Sequence, residues 1–528
     1  MNSEVRVTSD DHGRLERLSL VKEYPLHSVR STRSLEARMA AALPSHELMS
    51  RAGRSVARLS MALAPHAKTV WIACGPGNNG GDGLACATKL LSHPAVRQGA
   101  MTLVVTLCAN PEAMPADARW ALSQARAAGL VISAAPPPSF DLAIDALLGI
   151  GTQRPPMGEI ADHLNQMNTS GKPVLAVDVP SGLLPDTGAY LGPASSHISA
   201  LRHTVSLLTL KPGLFTADGR DLAGTVWFDP LVGECLPSEG ATAVLSGYAT
   251  ATRNRPHAAH KGSQGDVVVV GGQGIGQGGA GMTGAAVLAA RAAIYAGAGR
   301  VYVGLLDSPV HHSVPWDPQC PELMFRHPNR LKRDDQLMRS AAVVCGCGGG
   351  SAVAAELPFL LSGCHTLVLD ADALNRISED EALQILLHHR IARDKVTVMT
   401  PHPLEAARLL GTDTRAIMSD RLAAAQTLSD RFGAICVLKG SGTVVVSPGE
   451  WPYINSSGGP ALATAGTGDV LAGMIGARLA TSSVGRRESP LQAVLHAVHA
   501  HGRLADQWTR SEEGTLTAHR LAARLHSD

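Results

Sequence analysis

The chain gathers acidic side chains and glycines at a few turns, and any chemistry it performs must lie there. Gly75-Pro76-Gly77-Asn78-Asn79-Gly80-Gly81-Asp82-Gly83 follows an apolar run, and the sequence predicts a helix opening at Leu84. A glycine-rich turn at a helix N-terminus brings backbone N–H groups close to an anionic ligand, and the helix dipole favours it. Two asparagines and an aspartate add oxygen ligands that a bare strand-to-helix turn does not need. Asp145, in Ile144-Asp145-Ala146, and Asp178, in Val177-Asp178-Val179-Pro180-Ser181-Gly182, each end an apolar strand. A carboxylate there is costly unless it is paired, hydrogen-bonded or metal-bound. Taken singly, each reads equally as a helix N-cap. Three such strand ends together favour a site, and Asn79, Asp145 and Ser181 offer hard oxygen ligands for a hard cation.

The second half has its own pair of turns. Gly459-Pro460-Ala461-Leu462-Ala463-Thr464-Ala465-Gly466-Thr467-Gly468-Asp469 runs into Val470-Leu471-Ala472-Gly473, which reads as a helix. Amides of Gly466, Thr467 and Gly468 at its start would form an anion hole for a transferring phosphoryl group. Asp469 beside them could take a proton from an attacking hydroxyl, or simply cap the helix. Lys439-Gly440-Ser441-Gly442-Thr443 is a strand-end turn able to hold an adenine nucleotide. Gly274, Gly276 and Gly279 also satisfy GxGxxG, with Asp307 ending the next strand, so a dinucleotide-binding oxidoreductase is a rival reading.

Apolar β-branched runs alternate with Ala/Leu-rich stretches, the pattern of parallel α/β folds with both sheet faces covered. The expected strands of the first half are Thr69–Ala73, Met101–Leu107, Asp141–Ala146, Val174–Val179 and Thr204–Leu208. Those of the second are Asp266–Val270, Arg300–Leu305, Ala342–Cys345, Thr366–Asp370, Val396–Thr400, Ile435–Leu438 and Thr443–Ser447. Gly233–Pro256 carries little strand pattern and marks the boundary between two domains, residues 1–235 and 236–528.

The 528 residues are 45% hydrophobic and only 3% aromatic, so large cores must be built from Ala, Val and Leu. A net charge of +1 argues against a nucleic-acid or anionic-membrane binder. The nine cysteines form no CxxC pair, which suits reduced thiols in a cytoplasm. Ala280–Ala296, the most apolar helical stretch, is interrupted by Arg291 and reads as a buried helix rather than a membrane span.

Asn78-Asn79-Gly80-Gly81-Asp82-Gly83 with Asp178-Val179-Pro180-Ser181-Gly182 resembles the NAD(P)H-hydrate epimerase domain over roughly residues 20–230. Leu48-Met49-Ser50-Arg51-Ala52-Gly53 is similar to that family's entry helix, with Ser50 where an acidic residue is usual. The resemblance implies a potassium site at Asn79, Asp145 and Ser181. It also implies substrate contacts from Asn78, Asn79, Gly80, Gly81 and Asp82, from Gly149, Ile150, Gly151, Thr152, Gln153, Arg154 and Pro155, and from Asp178.

Lys439–Thr443 with Gly466–Asp469 resembles the ribokinase-like superfamily. His260-Lys261-Gly262, Leu369-Asp370-Ala371-Asp372-Ala373-Leu374-Asn375 and Thr400-Pro401-His402-Pro403-Leu404-Glu405 narrow it to the ADP-dependent NAD(P)H-hydrate dehydratase, over about 245–528. Gly346-Cys347-Gly348-Gly349-Gly350 departs from the family, which shows Pro and Leu between the glycines. Substrate contacts are implied at Gly284, Ala285, Gly350, His402 and Asp469, and nucleotide contacts at Lys439–Thr443 and Gly466–Gly468. Two three-layer αβα domains follow, Rossmann-like then ribokinase-like. The implied activity is epimerisation of R- and S-NADHX and NADPHX, followed by dehydration of the S form with ADP and Mg2+, giving AMP and phosphate. Asp178 and Asp469 are the expected catalytic acids or bases, in a cytoplasmic homo-oligomer without nucleic-acid or membrane partners. The alternative is a ribokinase-like vitamin or sugar kinase fused to a non-catalytic ligand-binding domain.

Overall fold

The computed structural model describes residues 15–19, 21–193, 201–232, 239–247, 257–275, 281–306, 317–484, 488–511 and 514–526. Gly276, Gly279, Asp307 and Cys235 lie outside them. The chain divides into two compact units, one of Tyr24–Leu245 with the residues up to Ser19, the other of Ser246–Asp528 with Leu20–Glu23.

In the first unit eight strands form one sheet in the order Glu16–Arg17, Thr225–Asp229, Arg202–Leu207, Val174–Val177, Leu142–Ala146, Thr69–Cys74, Thr102–Leu107 and Ile132–Ser133. Glu16–Arg17 pairs antiparallel and the rest are parallel. Chain order runs one way from Thr69–Cys74 and the other way from Leu142–Ala146, so these neighbours flank the topological switch point. In such sheets the crevice beyond the carboxyl ends at that point is the binding place.

The second unit repeats the plan. Its sheet runs Met324–Phe325, Arg300–Leu305, Asp266–Gly271, Ala342–Cys345, Thr366–Leu369, Val396–Met399, Ile435–Leu438, Val444–Val446 and Tyr453–Asn455. It is parallel up to Ile435–Leu438 and antiparallel beyond. The switch falls between Asp266–Gly271 and Ala342–Cys345. Val267 and Val269 enter one core and Val268 and Val270 the other, so helices cover both faces. Each unit is a three-layer αβα body, as expected.

All twelve expected strands are present, with ends shifted by up to two residues. One strand was missed within Gly233–Pro256: Ala243–Ser246, whose Ala243–Leu245 pair antiparallel with Tyr24–Leu26. The apolar stretch forms the helix Thr283–Tyr295, with Ala286, Ala289, Ala290, Ala292 and Ala293 buried. Among the described residues no helix is long and apolar enough to cross a membrane.

A second correction concerns the first glycine turn. The helix opens at Asn78, not Leu84, and runs Asn78–Leu91 behind an extended Gly77 cap. Glycine is a poor helix former, but these glycines are fixed by close approach. A Cβ on Gly80 would lie 2.0 Å from the Gly75 carbonyl, and one on Gly83 would lie 2.6 Å from the Ala146 Cβ. The glycines therefore let the helix lie directly on the switch-point strands.

Candidate active sites

At the first switch point Asp145 is fully buried. Its Oδ1 accepts from the Ser181 hydroxyl at 2.5 Å and its Oδ2 from the Ser181 amide at 3.0 Å. The Ser181 hydroxyl in turn accepts from the Leu148 amide at 2.8 Å, and Asn79 Nδ2 donates to the Leu148 carbonyl at 3.1 Å. Asn79, Asp145 and Ser181 thus meet in one network. Burial raises the Asp145 carboxyl above its ordinary range, with the Ser181 hydrogen bonds working against that rise. Among the described residues no lysine or arginine forms an ion pair with Asp145. The Asp145 carboxylate, ringed by hard oxygens and drawn by the buried Arg202 only from beyond ion-pair distance, offers donors that fit a monovalent ion.

Asp178 stands one strand over, with a left-handed backbone at φ 63°. That conformation costs a non-glycine residue about 1–2 kcal/mol, and it turns the carboxylate back toward the sheet edge. Asp178 Oδ1 accepts from the Leu207 amide at 3.0 Å and forms an ion pair with Lys211 Nζ. Lys211 is fully buried and also donates to the carbonyls of Leu207 and Thr209, each at 2.9 Å.

A cavity of about 950 Å³ opens before Asp178, with Asn78, Asn79, Asp82 and the whole Gly149–Pro155 turn in its wall. Gly80 and Gly81 face away, toward Gly75 and toward Met49 and Ala118. Arg33, Glu36 and Arg154 add charge to the wall. The carboxyl of Asp82 is pushed well above its ordinary range, by desolvation first and then by Asp178 and Glu36.

In the second unit four strand ends meet: Cys347 after Ala342–Cys345, Asp370 after Thr366–Leu369, Thr400 after Val396–Met399, and Lys439 after Ile435–Leu438. Lys439 Nζ pairs with Asp370 Oδ1 at 2.7 Å, and the Thr400 hydroxyl donates to the same oxygen at 2.6 Å. Asp469 comes in from the helix Thr467–Ser483, capped by Gly466 at φ 88°. Its carboxylate, that of Asp370 and the Cys347 thiol lie within 4.8 Å of one another. Burial, then the charge of Asp370, lifts Asp469 to about 6. Lys439 Nζ lies 3.4 Å from where a Gly468 Cβ would stand, so ammonium, amides and carboxylate share one corner.

The other expected residues fall as follows. The Gly350 amide donates to Asp372 Oδ2 at 2.8 Å, and Gly284 opens the helix Thr283–Tyr295 with free space around it. Ala285 packs on Gly348, where an added Cβ would lie 2.9 Å from its own. His402 caps the helix Pro403–Leu410: Nδ1 accepts from the Leu404 and Glu405 amides at 3.1 and 3.3 Å. Its exposed Nε2 lies 3.3 Å from Glu405 Oε1. Burial raises Glu405 to about 7.

The two units match two different family models. Residues 45–213 match the YjeF-related protein N-terminus, and residues 261–526 match NAD(P)H-hydrate dehydratase. The bifunctional NAD(P)H-hydrate repair enzyme Nnr of Escherichia coli (strain K12) is 35% identical over 480 residues, covering 87% of this chain and 85% of that protein. The chain belongs to the bifunctional NAD(P)H-hydrate repair enzyme family. The ADP-dependent (S)-NAD(P)H-hydrate dehydratase of Neisseria meningitidis serogroup B is 44% identical over 231 residues, 43% of this chain and 73% of that one. The crystal structure of the ADP/ATP-dependent NAD(P)H-hydrate dehydratase from Bacillus subtilis, co-crystallised with ATP and Mg2+, is 29% identical with a TM-score of 0.42, covering 52% of this chain and 91% of that one.

Three buried groups of this repair enzyme escaped the sequence reading. Lys211 sits in Thr209-Leu210-Lys211-Pro212, where a lone lysine ordinarily signals a solvated surface. Arg421 is fully buried, and Nη2 donates to the Leu438 and Lys439 carbonyls at 3.2 and 3.3 Å, propping the Lys439–Thr443 turn from below. Burial lowers Arg421 to about 10. His501 holds the Thr467 carbonyl at 2.9 Å, and burial lowers it to about 4, so it stays neutral.

Proposed function

We propose that residues 1–235 epimerise the R and S forms of hydrated NADH and NADPH, and that residues 236–528 dehydrate the S form at the expense of ADP. The arrangement that carries this reading is the corner where Asp469 faces the Gly466–Gly468 amides and Lys439. The hydrate carries its hydroxyl on a carbon bonded to the ring nitrogen. Asp469 takes the hydroxyl proton while that oxygen attacks the terminal phosphorus of ADP, and AMP leaves. At about 6 the carboxylate is ionised at neutral pH and still basic enough to assist. The helix amides and the Lys439 ammonium balance the charge that gathers on the moving phosphoryl group. The ring nitrogen's lone pair then expels phosphate, and loss of the neighbouring C–H proton restores the dihydronicotinamide. Mg2+ travels with the phosphates of ADP, as that ion commonly does. The Lys439–Thr443 turn is assigned to the nucleotide, and Gly284, Ala285, Gly350 and His402 to the hydrate.

In the first unit Asp178 is assigned the acid–base role at the same hydroxyl, whose release gives a nitrogen-stabilised cation that water re-enters from either face. The Asn78–Asp82 and Gly149–Pro155 segments bind the substrate. Asn79, Asp145 and Ser181 would hold potassium, which would add a direct positive partner to a carboxylate that Arg202 reaches only at a distance. A cytoplasmic location accords with the free, mostly buried cysteines among the described residues, and light scattering tests the expected homo-oligomer.

The test supplies purified hydrate to the full chain and separates the products. With S-hydrate and ADP, Asp469→Asn should lose on the order of 10²–10⁴ in NADH formation while epimerisation continues. Asp178→Asn should do the reverse. A stable phosphorylated product in place of NADH would refute the dehydratase reading and favour a kinase.

A further inference from the structure

The cavity before Asp178 holds more charge than epimerisation itself uses, and most of it is answered within the protein. Asp178 pairs with Lys211, Glu47 with Arg51 at 2.7 Å, and Asp117 with His46 at 2.6 Å. Burial, then the charge of Asp178, pushes the carboxyls of Glu36 and Asp82 up toward their neutral forms. Two cations in the wall, Arg33 and Arg154, form no ion pair among the described residues. Glu36 stands one helical turn beyond Arg33 and makes no ion pair with it. An arginine side chain keeps its charge at any working pH, so this cavity is matched to an anion.

Arg33 is fixed in place by the helix that carries it. In Val29–Ala42 the Thr32 hydroxyl bonds that of Thr209 at 2.8 Å, and Leu35 is buried. Thr32, Arg33, Glu36 and Ala40 all line the cavity, so the helix runs along it. Arg33 Nη2 lies 3.6 Å from where a Gly151 Cβ would stand, which brings the guanidinium onto the Gly149–Pro155 turn. The Gly149 carbonyl accepts from the Thr152 amide at 3.2 Å and its hydroxyl at 2.8 Å, holding that turn in shape. Among the described residues the amides of Gly149, Ile150 and Gly151 donate to nothing.

The position along the substrate follows from the turn. A Cβ on Gly149 would stand 3.1 Å from the Asn79 Cβ, so the turn begins against the polar centre of Asn79, Asp145 and Ser181. Gly151 is two residues on, at most about 7 Å of chain. In a nicotinamide dinucleotide the anion one ribose from the nicotinamide ring is the pyrophosphate, whereas a 2′-phosphate lies beyond the second ribose.

We infer that Arg33 is a substrate-binding residue of the first unit, its guanidinium taking the pyrophosphate of the hydrated dinucleotide together with the free amides of Gly149, Ile150 and Gly151. The inference deepens the epimerase reading proposed above and rests on it for the identity of the ligand. A guanidinium presents a planar fork of donors that matches two phosphate oxygens, and turn amides add donors at an anion-binding concavity. No bond forms or breaks at this end of the substrate. The contact is equal in ground and transition states, so binding depends on it and turnover does not.

Two measurements on the full chain test this. The first is epimerisation without ADP, from pure S-hydrate. Arg33 is exposed, so its removal leaves the core intact. Arg33→Ala should raise KM for hydrated NADH about tenfold while kcat stays within about twofold, and hydrated NADPH should respond by the same factor. Arg33→Lys, which keeps the charge and loses the fork, should fall between. Hydrated reduced nicotinamide riboside has no phosphate, and its kcat/KM should be the same in the native chain and Arg33→Ala. A rise confined to hydrated NADPH would move Arg33 to the 2′-phosphate and overturn the assignment. An unchanged KM for hydrated NADH, or an equal loss with the riboside, would also overturn it.

The second measurement is modification by phenylglyoxal, localised to Arg33 by mass spectrometry. ADP-ribose, which has the pyrophosphate and no nicotinamide, should protect Arg33, and adenosine should not. The readout is confined to one residue of the first unit, so ligand held by the second unit does not enter it. An unprotected Arg33 overturns the contact. Should the native chain fail to epimerise while ADP-ribose protects Arg33, the epimerase reading fails and the pyrophosphate site stands.

Discussion

Lys211→Met isolates what the buried ion pair of the first unit does. Methionine matches the lysine stem in volume and removes the charge without leaving a void. The Asp178 carboxylate, 14% exposed, would lose its cation, and the carbonyls of Leu207 and Thr209 would lose their donor. Removing one partner of a buried pair costs about 3–5 kcal/mol. Each unsatisfied carbonyl adds about 1 kcal/mol at the low end of its range, giving about 5–7 kcal/mol. That is a large part of a typical stability of about 5–15 kcal/mol, so unfolding of the first unit should move to clearly lower urea. Asp178 also holds a left-handed backbone that its partners must maintain, so epimerisation should fall on the order of 10²-fold or more. The assay gives enantiopure S-hydrate to the full chain without ADP and follows appearance of the R form. Adding ADP then reads dehydration by the second unit, which should stay within about twofold of native in urea-free buffer. Because a shared partner couples the two sites, Asp178→Asn with Lys211→Met should destabilise less than the sum of the single changes. Native-like epimerisation and stability in Lys211→Met would refute the reasoning.

Potassium should accelerate epimerisation and leave dehydration unchanged in a titration against choline chloride. Asn79→Ala should raise the potassium concentration required by about ten- to a hundredfold, and a flat potassium response in the native chain would remove the ion from the scheme. Gly473→Ala tests the second unit's packing. Its new Cβ would lie 2.0 Å from the Ala289 carbonyl oxygen, a backbone atom with little room to shift. Overpacking of this kind costs about 1–3 kcal/mol and exceeds the helix-propensity gain of about 1 kcal/mol, so urea denaturation should show a net loss; a stabilised variant would contradict it.

The fold was legible because a strand buried on both faces is written as a continuous β-branched run, as in Val267-Val268-Val269-Val270. The strands that escaped are short or at sheet edges, such as Ile132–Ser133 and Tyr453–Asn455. Thr225–Asp229, with Trp227 and Phe228, carried a strand signal that the reading passed over. Asn78–Leu91 was misjudged at its start because propensity treats glycine as a breaker, while tertiary contact decided the matter here. Asp145, Ser181 and Asn79 were legible as a group because polar residues beside apolar strand ends need partners: Ser181 donates to Asp145, and Asn79 joins them through Leu148. Lys211, Arg421 and His501 were not, because a single cationic or imidazole side chain reads as surface until the chain is folded around it.

The Gly473 approach carries a consequence for how the second site works. The helices Thr283–Tyr295 and Thr467–Ser483 touch backbone to backbone there. Their first turns carry Gly284 and Ala285 on one side and Gly466–Gly468 on the other. Donor and acceptor ends of the reaction, as assigned, are therefore held like the jaws of a fixed calliper. Its gap is set by main chain rather than by side-chain choice, so substitutions around the rim retune what each jaw grips without changing how far apart they stand.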